Sequence, residues 1–219
     1  PPVRVGASIG DIVAGMYLTQ GILTALYQRE STGLGCKIDI AMLDAQLAIL
    51  EHAVAIASVT GAAPGPTGAR HPSITPFSTY RAADGFFVIA AGNDALFAKL
   101  CDALDLPDLA KDLRFVTNAA RCENVALLKR LIESQTLNAS RAHWIARLER
   151  FGVPTGKVQN VSEALEDPQL LARNMVLPIT PRPGGPAFVG AGSPIKMTGL
   201  EERVAHPSSP ALDQDRATI

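Results

Sequence analysis

Cysteines, aromatic residues and net charge are all scarce in this sequence. Its 219 residues include three cysteines, which are widely spaced and form no C-x-x-C or Cys/His pair. This excludes a disulfide framework and the usual zinc motifs. Cys36, Cys101 and Cys122 are typical of buried thiols in a reducing compartment, which predicts a cytoplasmic protein. A chain of this length buries roughly 70% of its unfolded surface and needs no cross-links to build a core.

Long charged or apolar runs are missing too. The formal net charge is −1, and no run of Lys and Arg is interleaved with aromatic residues. We therefore expect no nucleic-acid partner. The most apolar stretch, residues 40–59, is interrupted by side chains that are costly in a bilayer, namely Asp44, Gln46, Glu51 and His52. We expect a buried helix there and no membrane span.

The familiar motifs of nucleotide, hydrolase and metal sites are absent. There is no G-x-G-x-x-G, G-x-x-x-x-G-K-[ST], G-x-S-x-G, H-E-x-x-H or EF-hand loop. The four histidines are too scattered to share a helix face, so we expect no metal site. The start, Pro1-Pro2-Val3, is neither a basic leader nor an initiator methionine. We expect the chain to begin inside a longer gene product or to have been cut there.

Hydrophobic periodicity predicts the helices and strands of the chain. We expect an internal helix over residues 12–28 that stops at Gly33, a short strand over 36–40, and a second helix from 44 to 60. Glycine and proline in residues 61–68 predict a boundary. Beyond it we expect an antiparallel hairpin around residues 82–85, a helix capped by Asn93, further helices over 122–134 and 140–151, and a short helix from Ser162. Prolines rule out a central strand or long helix over 178–186.

The strongest candidate for a chemical site is Gly6-Ala7-Ser8-Ile9-Gly10-Asp11. In this segment small residues precede a carboxylate at the N-terminus of an apolar helix. One interpretation is structural, since Ser8-x-x-Asp11 matches a capping box. The other is functional, because a helix N-terminus keeps a carboxylate ionised and stabilises an oxyanion formed beside it. Gly10 would let a bulky ligand approach the backbone, and Asp11 would act as a nucleophile.

An ordered series of motifs resembles the family III CoA-transferases, which include formyl-CoA and carnitine CoA-transferases and the α-methylacyl-CoA racemases. The series is Gly6-Ala7-Ser8-Ile9-Gly10-Asp11-(x)3-Gly15-Met16, Arg29-x-x-Thr32-Gly33-x-Gly35, Ile38-Asp39-Ile40-Ala41-Met42-Leu43-Asp44-Ala45, Tyr80-(x)3-Asp84-Gly85, Gly92-Asn93, Gly152-Val153-Pro154-x-Gly156-x-Val158, Asp167-Pro168-Gln169 and Pro194-Ile195-Lys196-(x)2-Gly199. It covers nearly the whole chain.

The resemblance implies a reaction and a site. It implies CoA transfer from an acyl-CoA donor to a carboxylic acid acceptor, with Asp11 as covalent nucleophile, CoA as substrate and no tightly bound cofactor or metal. Gly10 and Met42 would line the CoA pocket. Arg70 and His71 stand where some members carry a glycine-rich loop, which this sequence lacks, and would meet the carboxylate of a dicarboxylic substrate.

The resemblance also implies an architecture. We expect an α/β protein made of the C-terminal portion of the family fold: residues 1–62 as the remainder of a Rossmann-like large domain, 63–151 as a small α+β domain and 152–219 as a return segment to the large domain. The family's chains are nearly twice this length, and relatives form interlocked homodimers. We therefore expect a homodimer or association with a missing N-terminal half.

Two alternatives stay open. One is the racemase branch, in which Asp11 would be a general acid and base at the α-carbon of an acyl-CoA. The sequence after Asp11 favours transfer, since it lacks the glycine-rich stretch associated with racemases. The other is a non-catalytic fragment that associates with itself or with the missing half.

Overall fold

The computed structural model describes residues 4–181, 185–214 and 216. The chain divides into two compact units, Pro1–Gly68 and Ala69–Ile219. The division falls at the end of the glycine- and proline-rich stretch, residues 61–68. The three-part domain organisation stays a prediction.

The first unit opens with a long helix, α1, over Ile9–Thr32. It ends as predicted at Gly33, whose left-handed backbone (φ 72°) lets its N–H donate to the Arg29 carbonyl at 2.8 Å. Its start differs from the capping-box interpretation, which is wrong. Ser8 occupies the N-cap position, but its side chain accepts no capping hydrogen bond.

The second predicted helix is two helices, α2 over Met42–Ala48 and α3 over Glu51–Thr60, bent by 70°. At the break the Leu50 N–H donates to the Leu47 carbonyl at 3.1 Å, which tightens the last turn of α2. The apolar pattern runs through the break without a glycine or proline, so the sequence carries no signal for it. The strand expected over residues 36–40 is also wrong, because this segment has no regular secondary structure and pairs with no strand among the described residues.

The helices of the first unit bury few of their side chains. None of the described side chains of α1 or α3 is buried, and Ala45 is the one buried residue of α2. Cys36 is exposed, which corrects the expectation of a buried thiol, whereas Cys101 is buried and Cys122 half-buried. By length and composition α1 also qualifies as a membrane span, a property that it shares with core helices of soluble proteins. The absence of a membrane span stays a prediction.

The second unit contains an antiparallel sheet of three strands in the order β1-β2-β3, with bounds Phe77–Ala82, Gly85–Ala90 and Thr155–Lys157. The hairpin between β1 and β2 is confirmed, with Ala82 opposite Gly85. Gly85 has a φ of 149°, and an added Cβ would lie 3.2 Å from the Arg141 Nε, so only glycine fits this turn.

Four helices pack with this sheet around one core: α4 over Asp94–Ala103, α5 over Asn118–Glu123, α6 over Val125–Thr136 and α7 over Arg141–Arg150. Asn93 caps α4 as predicted, by accepting from the Leu96 N–H at 2.8 Å. Fully buried members of the core include Phe87, Ile89, Leu100, Phe115, Leu128 and Leu148. The single predicted helix over 122–134 is two helices, α5 and α6, that meet at Asn124.

The remaining elements are short. They are a 3₁₀ helix over Pro107–Lys111, α8 over Val161–Leu165, α9 over Pro168–Ala172, and a two-stranded sheet of β4, Val176–Ile179, and β5, Phe188–Ala191. β4 contains Pro178 but is not a central strand, as expected. Two of the residues expected to prevent a central strand or long helix over 178–186, Pro183 and Gly184, lie outside the described residues.

Candidate active site

Asp11 lies in the first turn of α1, at the edge of an open cavity of about 400 Å³. The lining residues belong to the segment before α1, to its first turn and to α2: Arg4, Val5, Ala7, Ser8, Ile9, Gly10, Asp11, Met42 and Gln46. The structure thus brings together three of the predicted site residues, Gly10, Asp11 and Met42. The Asp11 side chain is exposed and available to a ligand.

Close packing of α1 on α2 shapes this cavity. A Cβ added at Gly10 would lie 3.2 Å from the Gln46 Nε2 and 3.3 Å from its Cδ, so the glycine lets Gln46 approach the helix backbone. Further along α1, a Cβ at Gly21 would lie 3.1 Å from the Ile38 Cγ2. The two glycines therefore set the spacing of α1 against α2 and against the segment that contains Ile38.

The polar groups of the cavity suit an anionic intermediate. The first turn of a helix carries N–H groups without intrahelical partners and the positive end of the helix dipole. Arg4 adds a cation to the lining. The Gln46 Nε2 donates to the Met42 carbonyl at 3.4 Å, which holds its amide beside the cavity. The site thus places an exposed carboxylate next to donors that stabilise negative charge.

Sequence reasoning missed Arg4 and Gln46. Gln46 is one of two polar residues in α2, the other being Asp44, and this interruption of the apolar pattern is the signal that could have placed it in the site. Arg4 precedes the helix in a segment without periodicity, and nothing in the sequence distinguishes it.

Arg70 and His71 belong to the second unit. They form a turn that the Arg70 side chain stabilises: its Nη1 donates to the backbone carbonyls of His71 and Pro72, both at 3.3 Å. The His71 ring stacks on Phe77, with centroids 5.3 Å apart and planes 16° apart. Because a guanidinium has five N–H donors and both bonds use Nη1, donors remain for a carboxylate ligand.

Metal ligation finds no support in the described part of the chain, where no three His, Cys, Asp or Glu side chains converge. Met42 is more than half exposed (55%) in the cavity, so it is a lining residue there and not part of a packed core.

Known proteins with similar sequences are CoA-transferases. The chain is 41% identical to the acetyl-CoA:oxalate CoA-transferase of Acetobacter aceti, over 100% of this chain and 55% of that protein. It is 38% identical to the succinyl-CoA--D-citramalate CoA-transferase of Chloroflexus aurantiacus, over 81% of this chain and 44% of the relative. The succinate--glutarate CoA-transferase of Agrobacterium fabrum is 32% identical over 100% of this chain and 54% of that relative.

Solved structures share the fold. A CAIB/BAIF family protein from Brucella suis superposes with a TM-score of 0.80 at 35% identity, over 99% of this chain and 56% of the other. Rv3272 from M. tuberculosis shares the fold at a TM-score of 0.82 and 21% identity, over 99% of this chain and 57% of the other. The fold is thus a partial α/β fold of this class.

A sequence model described as CoA-transferase family III matches residues 1–216. The chain belongs to CoA-transferase family III. It spans about half the length of the curated relatives that it matches.

Proposed function

We propose that the protein transfers CoA from an acyl-CoA donor to a carboxylic acid, with Asp11 as the covalent nucleophile. The observation that carries this proposal is the Asp11 carboxylate in the first turn of α1, exposed to a cavity that Gly10 and Met42 also line. Membership of CoA-transferase family III supports the same reaction.

The chemistry balances without a cofactor. The Asp11 carboxylate attacks the thioester carbonyl, the C–S bond breaks, and a mixed anhydride and CoA thiolate result. The thiolate then attacks the aspartyl carbonyl of the anhydride, which releases the donor acid as a carboxylate and leaves an aspartyl-CoA thioester. The acceptor carboxylate attacks the carbonyl of that thioester, the C–S bond breaks, and a second mixed anhydride and CoA thiolate result. The thiolate finally attacks the acceptor's carbonyl in this anhydride. This frees Asp11 and releases the new acyl-CoA.

Each step passes through a tetrahedral oxyanion, and the residues around Asp11 supply what that oxyanion needs. The helix N-terminus offers N–H donors, and Arg4 offers a positive charge. Gly10 presents no side chain, so the thioester can approach the backbone beside Asp11. One acyl bond replaces another of similar reactivity, so positioning is the main demand on the protein.

A dicarboxylic acid is the acceptor class that we propose. Relatives of this chain are named for oxalate, citramalate and glutarate, which are dicarboxylates. Arg70 and His71 would bind a carboxylate of that acid, since the Arg70 guanidinium retains donors in a planar fork.

The activity is proposed for the whole protein that carries these residues, in the cytoplasm and as a homodimer or an assembly with a further α/β half. Large apolar side chains of the first unit are exposed and favour such an association. Examples are Ile12, Met16, Leu23, Leu43, Leu47 and Val59.

Trapping the intermediate tests the proposal. The full-length protein is incubated with an acyl-CoA, treated with hydroxylamine and digested, and the peptides are mapped by mass spectrometry. We expect a hydroxamate at Asp11 that depends on acyl-CoA. Asp11→Asn removes both the adduct and transfer, whereas the matched variant Asp39→Asn, an exposed carboxylate of the same unit, retains them. An adduct elsewhere, or none, contradicts the proposal.

The alternatives give different results in the same preparation. Racemase chemistry exchanges the α-proton, so deuterium enters the α-carbon in D₂O without transfer of CoA between acids. A non-catalytic, self-associating chain binds neither CoA nor acyl-CoA. The exposed apolar side chains of the first unit favour this second alternative, and titration calorimetry with CoA decides it.

A further inference from the structure

The residues after the Arg70–His71 turn are held by α5 through their backbone. The Asn118 Nδ2 donates to the Ser73 carbonyl at 2.9 Å, and its Oδ1 accepts from the Thr75 N–H at 3.0 Å. The Arg121 Nε donates to the Thr75 carbonyl at 2.7 Å. Two side chains one helical turn apart thus bind three backbone groups of residues 73–75.

Arg121 is unusual among these groups because its side chain is completely buried, with 0% exposed. It also donates to the Phe115 carbonyl at 2.9 Å and to the Asp94 Oδ1 at 2.7 Å, and its guanidinium lies over the Phe97 ring at 4.6 Å. A well-packed apolar side chain often stabilises a core at least as well as a buried ion pair. A role in fixing backbone geometry explains why a cation is used here.

The turn itself is tied to the same segment. The His71 N–H donates to the Phe77 carbonyl at 2.8 Å, and the His71 Nδ1 accepts from the Ser73 N–H at 3.2 Å. Residues 73–75 therefore lie between two anchors, the α5 side chains on one side and the start of β1 on the other. A displacement of this segment would carry His71 with it, and Arg70 through its bonds to the His71 and Pro72 carbonyls.

We propose that Asn118 and Arg121 are positioning residues for substrate selection: they hold residues 73–75 and thereby orient Arg70 and His71 for a carboxylate of the acceptor acid. This inference rests on the proposed function. Bidentate recognition of a carboxylate depends on the direction of the guanidinium plane as well as on its charge. A loose backbone would therefore weaken selection of a dicarboxylate more than it weakens the transfer step.

The test compares Asn118→Ala with Asn124→Ala in the full-length protein. Both asparagines are half-buried and bond to backbone carbonyls, but Asn124 bonds to those of Arg114 and Ala120 and does not touch residues 73–75. The readout is the ratio of kcat/KM for glutarate to that for butyrate as acceptor. We expect Asn118→Ala to lower this ratio by about tenfold, mainly through the KM for glutarate, and Asn124→Ala to leave it unchanged.

A second pair of variants distinguishes the inference from its premise. Arg70→Ala should lower the same ratio, and the double variant Arg70→Ala/Asn118→Ala should lower it no further. Arg121→Lys keeps the charge but loses the fork of donors, and we expect an intermediate ratio. If Arg70→Ala lowers the ratio while Asn118→Ala lowers kcat/KM equally for both acids, α5 is merely structural and the inference falls, although the proposed function stands.

Hydrogen exchange gives a readout that does not need activity. In Asn118→Ala the amides of His71, Ser73 and Thr75 should exchange faster than in Asn124→Ala, because the segment has lost its α5 anchor. Unchanged exchange at these amides overturns the inference whatever the kinetics. Absence of CoA transfer in the wild-type protein would instead refute the proposed function, and with it the selection role.

Discussion

Gly10 of α1 lies so close to Gln46 of α2 that a Cβ at residue 10 would stand 3.2 Å from the Gln46 Nε2. The contact places a polar amide of α2 against the backbone of the turn that carries Asp11. The width of the cavity beside Asp11 thus depends on a residue without a side chain.

Replacing Gly10 by Ala should therefore separate activity from stability. The new methyl group displaces the Gln46 amide into the cavity, and we expect kcat/KM for acyl-CoA to fall by about tenfold or more. Stability should change little, since the higher helix propensity of alanine, worth up to about 1 kcal/mol, offsets the crowding. Gly15→Ala is the control, because nothing lies within 4 Å of its added Cβ. It should stabilise α1 by about 0.5–1 kcal/mol without loss of activity.

Steady-state kinetics and thermal unfolding of both variants check this prediction. A restored rate in Gly10→Ala/Gln46→Ala would identify the Gln46 side chain as the displaced group. An active Gly10→Ala variant would show that the cavity does not admit the thioester.

Replacement of Arg121 should destabilise the protein more than replacement of Asp94, its partner in an ion pair. Arg121→Met leaves the Thr75 and Phe115 carbonyls without their donor inside the core, and we expect a loss of about 3 kcal/mol. Asp94→Asn should cost less, since the asparagine amide oxygen can still accept from the Arg121 Nη2 and the side chain at residue 94 is 65% exposed. Urea unfolding followed by the fluorescence of Trp144, the one tryptophan, measures both. Equal losses would contradict the assignment of the stabilisation to the buried carbonyls.

Cys101 should resist alkylation in the folded protein. Burial raises the pKa of its thiol to about 12, and the neighbouring Asp102 charge adds to the shift. The reactive thiolate is therefore scarce at pH 8, and the side chain is only 2% exposed. We expect Cys101 to be labelled by iodoacetamide at least about a hundredfold more slowly than in urea-unfolded protein. Peptide mapping over time measures this, and similar rates would show that the core opens readily.

Asp112 should titrate well below the ordinary pKa of an aspartate. The Arg114 side chain donates to both of its carboxylate oxygens, from Nε and Nη2, and lowers the pKa of Asp112 from 3.8 to about 2. The lowered pKa favours the folded state above pH 3.8, and this contribution disappears as the pH falls through 2. In Arg114→Gln the pKa of Asp112 should rise towards 3.8 but stay below it, because the backbone N–H of residue 114 still donates to the Asp112 Oδ1. Arg114→Lys should lie between. NMR titration of the Asp112 carboxyl measures this, and an unchanged value in Arg114→Gln contradicts it.

Local chemistry made much of the second unit predictable. Asn93 before an apolar periodic segment predicts the start of α4, and the Asp84-Gly85 turn between alternating residues predicts the hairpin, because both signals act within a few residues. Asn124 carries no comparable stop signal, so the sequence could not show that one predicted helix is two.

The first unit resisted prediction where its structure depends on packing. The 70° bend between α2 and α3 falls within a uniformly apolar run, and residues 36–40 alternate like a strand but pair with none among those described. Asp11 and Met42 were predicted as site residues through the family's motif order, and the cavity that they share depends on the contact between α1 and α2. Arg4 and Gln46 required the structure itself.

Helix α1 holds 24 residues and buries none of its described side chains, although many of them are apolar. In proteins most of the stability of a helix comes from the surfaces that pack on it and not from its intrinsic propensity. The turn that holds Asp11 is the first turn of this helix. Any partner that covered α1 would therefore be thermodynamically linked to the position of Asp11: its binding would raise the population of the ordered turn, and its dilution would lower it.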